Sequence, residues 1–316
     1  MAKLIDIQAY PINKLLSRLL QDKTTKQNII FATDAYADCG EEYGERQQIT
    51  EDKLLGFGKV RIVPRVEKAA EEQLLRTRKK AEVFTPSWIV NRMNNHCDAE
   101  WFGRQDVFNT EDGVTWITTP GSIPFDKPGD WKKYVDSRRI EITCGEAPYI
   151  VSRYDTTTGE LIPIENRIGI LDRKMRVINE NAQDDQEWLK WAMRAFQSVY
   201  GYEFQGDNLL IARINTILTF MDYYSARFND TPELKLLQKY ANIVCWNFWQ
   251  MDGITGTIPF AIKAEPEEDP MQITLFEFMG EAEVGEDTPD VPLCKIWDWR
   301  KENAVSYDSI RGGSKK

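Results

Sequence analysis

The chain has 316 residues, a mass of 36.7 kDa and a formal net charge of -10, and ten of its residues are tryptophan. Its length and aromatic content predict a globular protein with a sizeable core, built as one large domain or two smaller ones. The negative charge argues against indiscriminate binding to polyanions, although it is compatible with a local basic groove.

Cysteine and histidine usage narrows the possible chemistry. The five cysteines are scattered without a Cys-x-x-Cys pair, which argues against a structural zinc site. His96 is the single histidine, so a mechanism that needs two imidazoles is excluded. The odd cysteine count, with no signal peptide and no long apolar run, predicts a soluble cytoplasmic protein that does not enter membranes.

Residues 1–80 predict a helical amino-terminal extension. Apolar side chains at helical spacing indicate a helix over residues 4–22 that is interrupted at Pro11, and residues 28–32 resemble a short strand. Residues 66–80 predict a further helix, acidic at its start and basic at its end, as the helix dipole favours. We interpret its basic end as a DNA-binding cluster or, alternatively, as a solvated helix end: Arg76, Arg78, Lys79 and Lys80.

Residues 81–260 predict an α/β core with insertions. In its first segment, Thr85 and Pro86 resemble the N-cap and first residue of a helix, and residues 103–130 are punctuated by Gly and Pro, which is typical of loops. Residues 261–316 predict an acidic loop followed by a terminal strand.

The central stretch, residues 138–155, carries the pattern of a ligand site. An apolar strand ends at Glu141, a tight turn follows at Gly145, and a segment that starts with Pro148 resembles the helix after such a turn. A second strand ends at Glu203 before a helix over residues 207–224, and an apolar strand over residues 242–251 ends at Asp252. This order is typical of a doubly wound parallel sheet that binds an adenosine-bearing ligand, with an acid on the ribose hydroxyls.

Over residues 82–254 this order resembles the amino-terminal half of the DNA adenine-N6 methyltransferases of restriction–modification systems. Phe84-Thr85-Pro86 is similar to their FxTP-like box, residues 141–150 to their D-P-A-C-G-S-G-x-F-L turn, and the strand ending at Glu203 to their second motif. The resemblance implies an incomplete Rossmann-like methyltransferase sheet and S-adenosylmethionine as the cofactor. The cofactor-binding residues that it implies are Phe84, Thr85, Pro86, Glu141, Thr143, Cys144, Gly145, Glu146, Ala147, Glu203, Phe204 and Asp252.

The chain departs from the family pattern in two respects. Ala147 replaces the second glycine of the turn, and Glu146 puts a carboxylate beside a ligand that carries its own. The catalytic tetrapeptide [DNS]-P-P-[YFW], which holds the flipped adenine, does not occur in the 316 residues. Either a partner chain supplies that motif and the domain that recognises double-stranded DNA, or the chain binds without methylating. The first alternative predicts an unfinished sheet edge with apolar surface beside it.

The main alternative is a non-catalytic DNA-binding or assembly subunit of a restriction–modification or phage-defence complex. It would place Lys132 and Lys133 on a groove and stack the rings of Trp131 and Tyr134 on bases. Two Glu-x-Lys strings, at residues 51–53 and 233–235, lack the upstream Pro-Asp of a metal-dependent nuclease. A further alternative is an ordinary α/β domain, which also has acids at its strand ends and glycines in its turns.

Overall fold

The computed structural model describes residues 3–80, 85–261, 293–307 and 309. Within these ranges the chain is a mixed α/β protein that combines helices with three small sheets. Phe84 and residues 262–292, which include the predicted acidic loop, lie outside the described residues. None of the described helices has the length and apolarity that crossing a membrane requires.

The described residues form nine α-helices and seven strands. The helices are α1 Ile12–Leu19, α2 Glu51–Leu55, α3 Ala70–Lys80, α4 Ser87–Phe102, α5 Asp130–Asp136, α6 Ile170–Asn181, α7 Asp185–Gln197, α8 Gly206–Phe228 and α9 Leu234–Asn247. The strands are β1 Asn109–Asp112, β2 Thr115–Thr118, β3 Arg139–Glu141, β4 Val199–Glu203, β5 Phe248–Gln250, β6 Lys295–Asp298 and β7 Asn303–Ser306.

A parallel sheet of three strands, in the order β3-β4-β5, organises the molecule. Ile140 pairs with Tyr200, and Tyr202 pairs with Trp249. A pair of helices, α6 and α7, connects β3 to β4, and a second pair, α8 and α9, connects β4 to β5. Parallel neighbours need such crossovers, and their carboxyl ends therefore meet at one edge of the sheet.

The two faces of the sheet are packed differently. The larger core lies on the helical face, where the rings of Phe220 and Tyr240 stack at 3.7 Å. On the other face a smaller cluster, which includes Tyr200, Tyr202 and Trp249, packs against the antiparallel β6–β7 hairpin. Because successive strand residues point to opposite faces, β4 is buried along its whole length.

The two outer strands of the sheet have different surroundings. Beyond β5, the side-chain amide of Gln250 accepts from the backbone N–H of Ile30 and donates to the carbonyl of the same residue, both at 2.9 Å. At β3, by contrast, the side chains of Ile140 and Ile142 are 44% and 63% exposed. In the part of the chain that the structure describes, β3 is thus the open edge.

Several sequence predictions are confirmed: α1 lies within its predicted segment, β4 ends at Glu203 as predicted, and α8 covers the helix predicted for residues 207–224. The apolar strand predicted for residues 242–251 is largely wrong, because α9 continues to Asn247 and only Phe248–Gln250 is extended. Residues 28–32 form isolated bridges rather than a strand of the sheet. Residues 109–118 form the small β1–β2 hairpin within the predicted loop region.

Candidate functional site

The turn after β3 is the centre of the candidate site. Thr143, Gly145 and Ala147 have φ angles of 46°, 53° and 65°, which place all three in the left-handed region. The backbone N–H of Cys144 donates to the carbonyl of Tyr202 at 2.8 Å and so extends the pairing with β4 beyond the strand. A left-handed conformation costs a residue with a Cβ roughly 1–2 kcal/mol, so surrounding contacts must hold this turn in place.

The carboxylate of Glu203 provides one of those contacts. Its Oε2 accepts from the backbone N–H of Gly145 at 2.8 Å, and its Oε1 accepts from the backbone N–H of Gln205 at 3.1 Å. The residue is only 7% exposed. The acid that ends β4 therefore lies directly against the glycine turn that follows β3, as the sequence pattern predicts.

Glu141 forms hydrogen bonds to the residues that follow the same turn. Its carboxylate accepts from the backbone N–H groups of Tyr149 and Ile150 at 3.3 and 3.2 Å. Burial raises the pKa of Glu141 well above its usual value, the two N–H groups offset part of this effect, and the nearby charge of Glu203 adds to it.

The helix predicted to begin near Pro148 is not formed, and this expectation is corrected. Residues 145–150 make successive turns, and α6 begins only at Ile170. The amide groups that would have opened a helix donate to Glu141 instead. Residues 148–150 therefore direct no helix dipole at this turn.

Glu146 is engaged with the protein. It is 1% exposed, and its carboxylate accepts from the backbone N–H of Arg65 at 2.5 Å and from the hydroxyl of Tyr154 at 2.6 Å. The amide of Asn215 donates to the same hydroxyl at 3.0 Å. The carboxylate predicted to face a ligand thus ties the turn to the amino-terminal extension and to α8.

The Thr85-Pro86 box is joined to the turn through residues 154–156. The carbonyl of Thr85 accepts from the hydroxyl of Thr156 at 3.3 Å. Thr85 was predicted to be the N-cap of α4, but the N-cap is Pro86. The carboxylate of Asp155 accepts from the backbone N–H of Ser87, the first residue of α4, at 2.8 Å. Burial alone would raise the pKa of Asp155, but hydrogen bonds from Thr157 and Ser87 outweigh it and lower the pKa to about 2.

The third strand end contributes Asp252. The backbone N–H of Met251 donates to the carbonyl of Glu203 at 3.1 Å, which continues the pairing of β5 with β4, and Asp252 follows. Its carboxylate accepts from the backbone N–H of Ile254 at 2.8 Å. Acids therefore stand at the carboxyl ends of all three parallel strands. Beside them the ring of Phe204 lies 5.4 Å from that of Phe260.

A buried ion cluster beside these strand ends was not predicted. Asp207, in the first turn of α8, pairs with Lys68 at 3.2 Å and with Arg76 at 2.9 Å, and it also accepts from the hydroxyl of Tyr36. Burial alone would raise the pKa of Asp207, but the two cations hold it below its usual value. No local signal could have revealed this cluster, because Arg76 precedes Asp207 by 131 residues.

The predicted DNA-binding residues are divided between two places. Arg76 is 3% exposed and ion-paired, so its guanidinium does not lie at the surface, whereas Arg78 is exposed. The side chains of Lys79 and Lys80 lie outside the described part. Lys132 pairs with Glu187 at 2.7 Å, and Lys133 pairs with Asp130 at 2.8 Å.

The stacking prediction for α5 is wrong. Trp131 is 6% exposed and packs against the ring of Trp191, and Tyr134 is 1% exposed and donates its hydroxyl to Asp98. Neither ring is accessible to a nucleic-acid base. Because α5 leads into the amino end of β3, Lys132 and Lys133 also lie at the opposite end of that strand from the glycine turn.

Comparisons of the chain with protein-family models, with curated proteins and with solved structures gave no match.

Proposed function

We propose that the chain is the S-adenosylmethionine-binding subunit of a DNA adenine-N6 methyltransferase in a restriction–modification system. A partner chain would supply the catalytic motif and the recognition of double-stranded DNA. The three-stranded sheet would be the first half of a Rossmann-like methyltransferase sheet, and the enzyme would act in the cytoplasm.

The observation that carries the proposal is the meeting of two distant segments at one sheet edge. Gly145 N–H lies 2.8 Å from the Glu203 carboxylate, and Asp252 follows the next strand in the order β3-β4-β5. Ligands of open parallel sheets bind outside the carboxyl ends of the strands, and an acid at the end of the second strand is the usual partner of ribose hydroxyls.

The donors and acceptors present fit an adenosine-bearing cofactor. Glu203 and Asp252 are hydrogen-bond acceptors for the ribose hydroxyls and the adenine amino group, and Phe204 offers an aromatic ring beside them. The bound cofactor would supply an electrophilic methyl group. The residues of this chain would orient it: the turn at Gly145 would hold the methionine end, and Glu203 would exchange its backbone partners for the ribose.

The acceptor side of the reaction requires residues beyond these 316. Adenine N6 must be turned out of the duplex and held by a polar side chain and an aromatic ring. The tetrapeptide that does this in the family is missing from the sequence. In the proposed enzyme a partner polypeptide supplies it.

Calorimetric titration of the intact chain with S-adenosylmethionine tests the cofactor site. We expect saturable binding that Glu203→Ala weakens by about 10-fold or more, because a hydrogen bond to a charged group contributes roughly 1.5–3 kcal/mol. Glu160→Ala, an exposed acid on the 155–160 turn, is the matched control and should leave affinity unchanged. A folded chain that binds no S-adenosylmethionine would contradict the proposal.

A non-catalytic assembly subunit is the second candidate function. One observation favours it: the Gly145 N–H and the Glu141 and Glu203 carboxylates already hydrogen-bond within the chain. A ligand would have to displace some of these bonds. The same titration separates the two functions, since an assembly subunit releases no binding heat with the cofactor while it still joins a larger complex.

A further inference from the structure

A pocket of about 310 Å³ lies between α6 and α8. It is bounded by residues 164–167, by α6 at Asp172 and by α8 at Tyr223 and Ala226. Tyr223 lies about 24 Å further along the axis of α8 than Asp207, which is beside the strand ends. The pocket shares none of its lining residues with the candidate cofactor site.

Hydrogen bonds hold the walls of this pocket in place. Asn166 ties the β1–β2 hairpin to one wall, because it accepts from the indole N–H of Trp116 at 2.9 Å and from the hydroxyl of Thr118 at 2.8 Å. The hydroxyl of Tyr223 donates to the backbone carbonyl of Asp172 at 3.2 Å and so joins α8 to α6. Small-molecule sites are usually preformed in this way, with volumes from about 300 Å³ upward.

Arg167 lines the pocket with a hydrogen-bond donor that the protein does not use. Its side chain is 8% exposed, its Nε donates to the carbonyl of Ile162 at 3.3 Å, and its Nη2 donates to Asp222 at 2.7 Å. Its Nη1 has no hydrogen-bond partner among the described residues. A guanidinium does not lose its proton in a protein, so this donor is retained at any ordinary pH.

Asp172 places an acceptor next to that donor. Its side chain is fully buried, and its Oδ2 accepts from the backbone N–H and the hydroxyl of Ser152 at 2.8 and 3.0 Å. Its Oδ1 lies 4.0 Å from Nη1 of Arg167, which is too far for a hydrogen bond, and it too lacks a partner in the described part of the chain. Burial raises the pKa of Asp172, but the charge of Arg167 and the bonds from Ser152 oppose this effect and favour the ionised form.

The charges around the pocket favour a neutral ligand. Arg176, which also lines the pocket, pairs with Glu180 at 2.8 Å, and Asp222 accepts from both Arg153 and Arg167. Because all three arginines already have carboxylate partners, they attract a phosphate only weakly. A metal ion, in turn, would be repelled by the guanidinium of Arg167.

Buried polar groups almost always have hydrogen-bond partners, so an adjacent donor and acceptor without them indicate a site for a ligand that supplies both. We propose that this pocket binds a neutral, flat heteroaromatic ligand that presents an N–H donor beside an acceptor, as a nucleobase with an amino group next to a ring nitrogen does. The ring nitrogen would accept from Nη1 of Arg167, and the amino group would donate to Oδ1 of Asp172.

The walls of the pocket fit such a ring. Ile164, Tyr223 and Ala226 provide apolar surface for its faces, while the two charged groups meet its edge. Adenine satisfies the requirement on two edges, because both N1 and N7 stand beside its amino group. A carboxamide offers the same donor and acceptor and therefore serves as a second probe. This site does not depend on cofactor binding at the strand ends.

Protein-detected NMR of the full chain with two matched probes tests the site. 9-Methyladenine carries the amino donor, whereas 9-methylpurine lacks it and keeps the ring system. We expect 9-methyladenine to shift the signals of Arg167 and Tyr223 saturably and to bind about 10-fold or more tightly than 9-methylpurine, which would leave Asp172 unpaired. Equal affinities, or no binding at millimolar concentration, would overturn the proposal.

The same spectra give two further outcomes that would overturn it. Shifts confined to the turn at Gly145 would place the ligand at the strand ends instead of in this pocket. Tighter binding of nicotinamide than of 9-methyladenine would refute a nucleobase as the ligand, since nicotinamide supplies the donor and the acceptor through a carboxamide.

A matched pair of variants measures the part played by the guanidinium. Arg167→Lys keeps a positive charge for Asp222 but removes the fork that reaches Asp222 and the ligand together, so it should weaken 9-methyladenine binding at least about 10-fold. Arg92→Lys changes an arginine that pairs with Glu111 at the surface, and it should change the affinity less than about twofold. Equal effects would refute the assignment. If Arg167→Lys does not fold, the comparison of the two purines in the unmodified chain decides alone.

Discussion

The backbone N–H of Gly145 donates to the carboxylate of Glu203 at 2.8 Å, although 58 residues separate them in the sequence. The bond joins the turn after β3 to the end of β4, and it occupies a donor and an acceptor that a nucleoside cofactor would use. Cofactor affinity should therefore depend on how readily this turn exchanges its internal bonds for ligand bonds.

Ala147→Gly should raise the affinity for S-adenosylmethionine. Ala147 is fully buried at a φ of 65°, so glycine relieves about 1–2 kcal/mol of left-handed strain and loses roughly 0.8 kcal/mol of buried methyl. The turn becomes freer to adjust, and the free energy of unfolding should change by no more than about 1 kcal/mol. Titration with the cofactor and urea unfolding measure the two effects.

Ala192→Gly is the control for that substitution. Ala192 is equally buried but lies in α7, where glycine costs about 1 kcal/mol of helix propensity in addition to the methyl. It should lower stability clearly and leave cofactor affinity unchanged. If both variants shift affinity alike, the turn has no special part in binding.

Glu141→Gln should alter how stability depends on pH. The folded pKa of Glu141 is raised well above its unfolded value, which is about 4.3, so the protonated carboxyl is favoured in the native state. Its contribution is complete below the unfolded pKa and is lost as the pH rises toward the folded pKa. The melting temperature of Glu141→Gln relative to the unmodified chain should therefore increase as the pH rises above the unfolded pKa.

Glu160→Gln should follow the unmodified chain throughout that range, because Glu160 is exposed. Differential scanning fluorimetry at closely spaced pH values is sufficient for the comparison. Parallel melting curves for Glu141→Gln and the unmodified chain would show that burial does not perturb this carboxyl.

Local patterns predicted the strand ends but not the long-range contacts. The strand that ends at Glu203 could be read from the sequence because apolar residues and an acid follow one another directly. The strand predicted for residues 242–251 is wrong over α9 because residues 241–249 are so rich in apolar side chains that they fit the two-residue period of a strand as well as the 3.6-residue period of a helix. In the structure the burial of Leu237, Tyr240, Ala241 and Val244 follows the helical spacing. The cluster around Asp207 depends on residues more than 130 positions earlier, which no local pattern encodes.

Asp207→Asn should destabilise the protein strongly. It leaves Lys68 and Arg76 buried without their shared carboxylate, and breaking a buried pair in this way typically costs about 3–5 kcal/mol. Because the folded pKa is lowered, the contribution is present above about pH 3.9 and is lost as the pH falls. Urea unfolding at pH 7 measures the cost, and limited proteolysis should show cleavage within α3.

Asp185→Asn provides the surface comparison for that variant. Asp185 pairs with Arg227 at 3.1 Å, but its side chain is 64% exposed, and such pairs contribute about 0–1 kcal/mol. A similar loss of stability in both variants would mean that the Asp207 cluster is no more important than a surface pair.

Arg78→Ala should weaken binding of a double-stranded oligonucleotide, whereas Lys133→Ala should not. Arg78 is exposed on α3, and the ion pair of Arg76 with Asp207 holds this helix beside the carboxyl ends of the strands. Lys133 lies on α5, near the amino end of β3. DNA placed for methyl transfer must approach the carboxyl ends, so a phosphate contact is expected only from Arg78. Fluorescence anisotropy measured across a salt series gives the slope of the logarithm of the binding constant against the logarithm of the salt concentration. The magnitude of this slope should be reduced by about 1 for Arg78→Ala. A reduced slope for Lys133→Ala alone would place DNA at the other end of the sheet, where the proposed site cannot reach it.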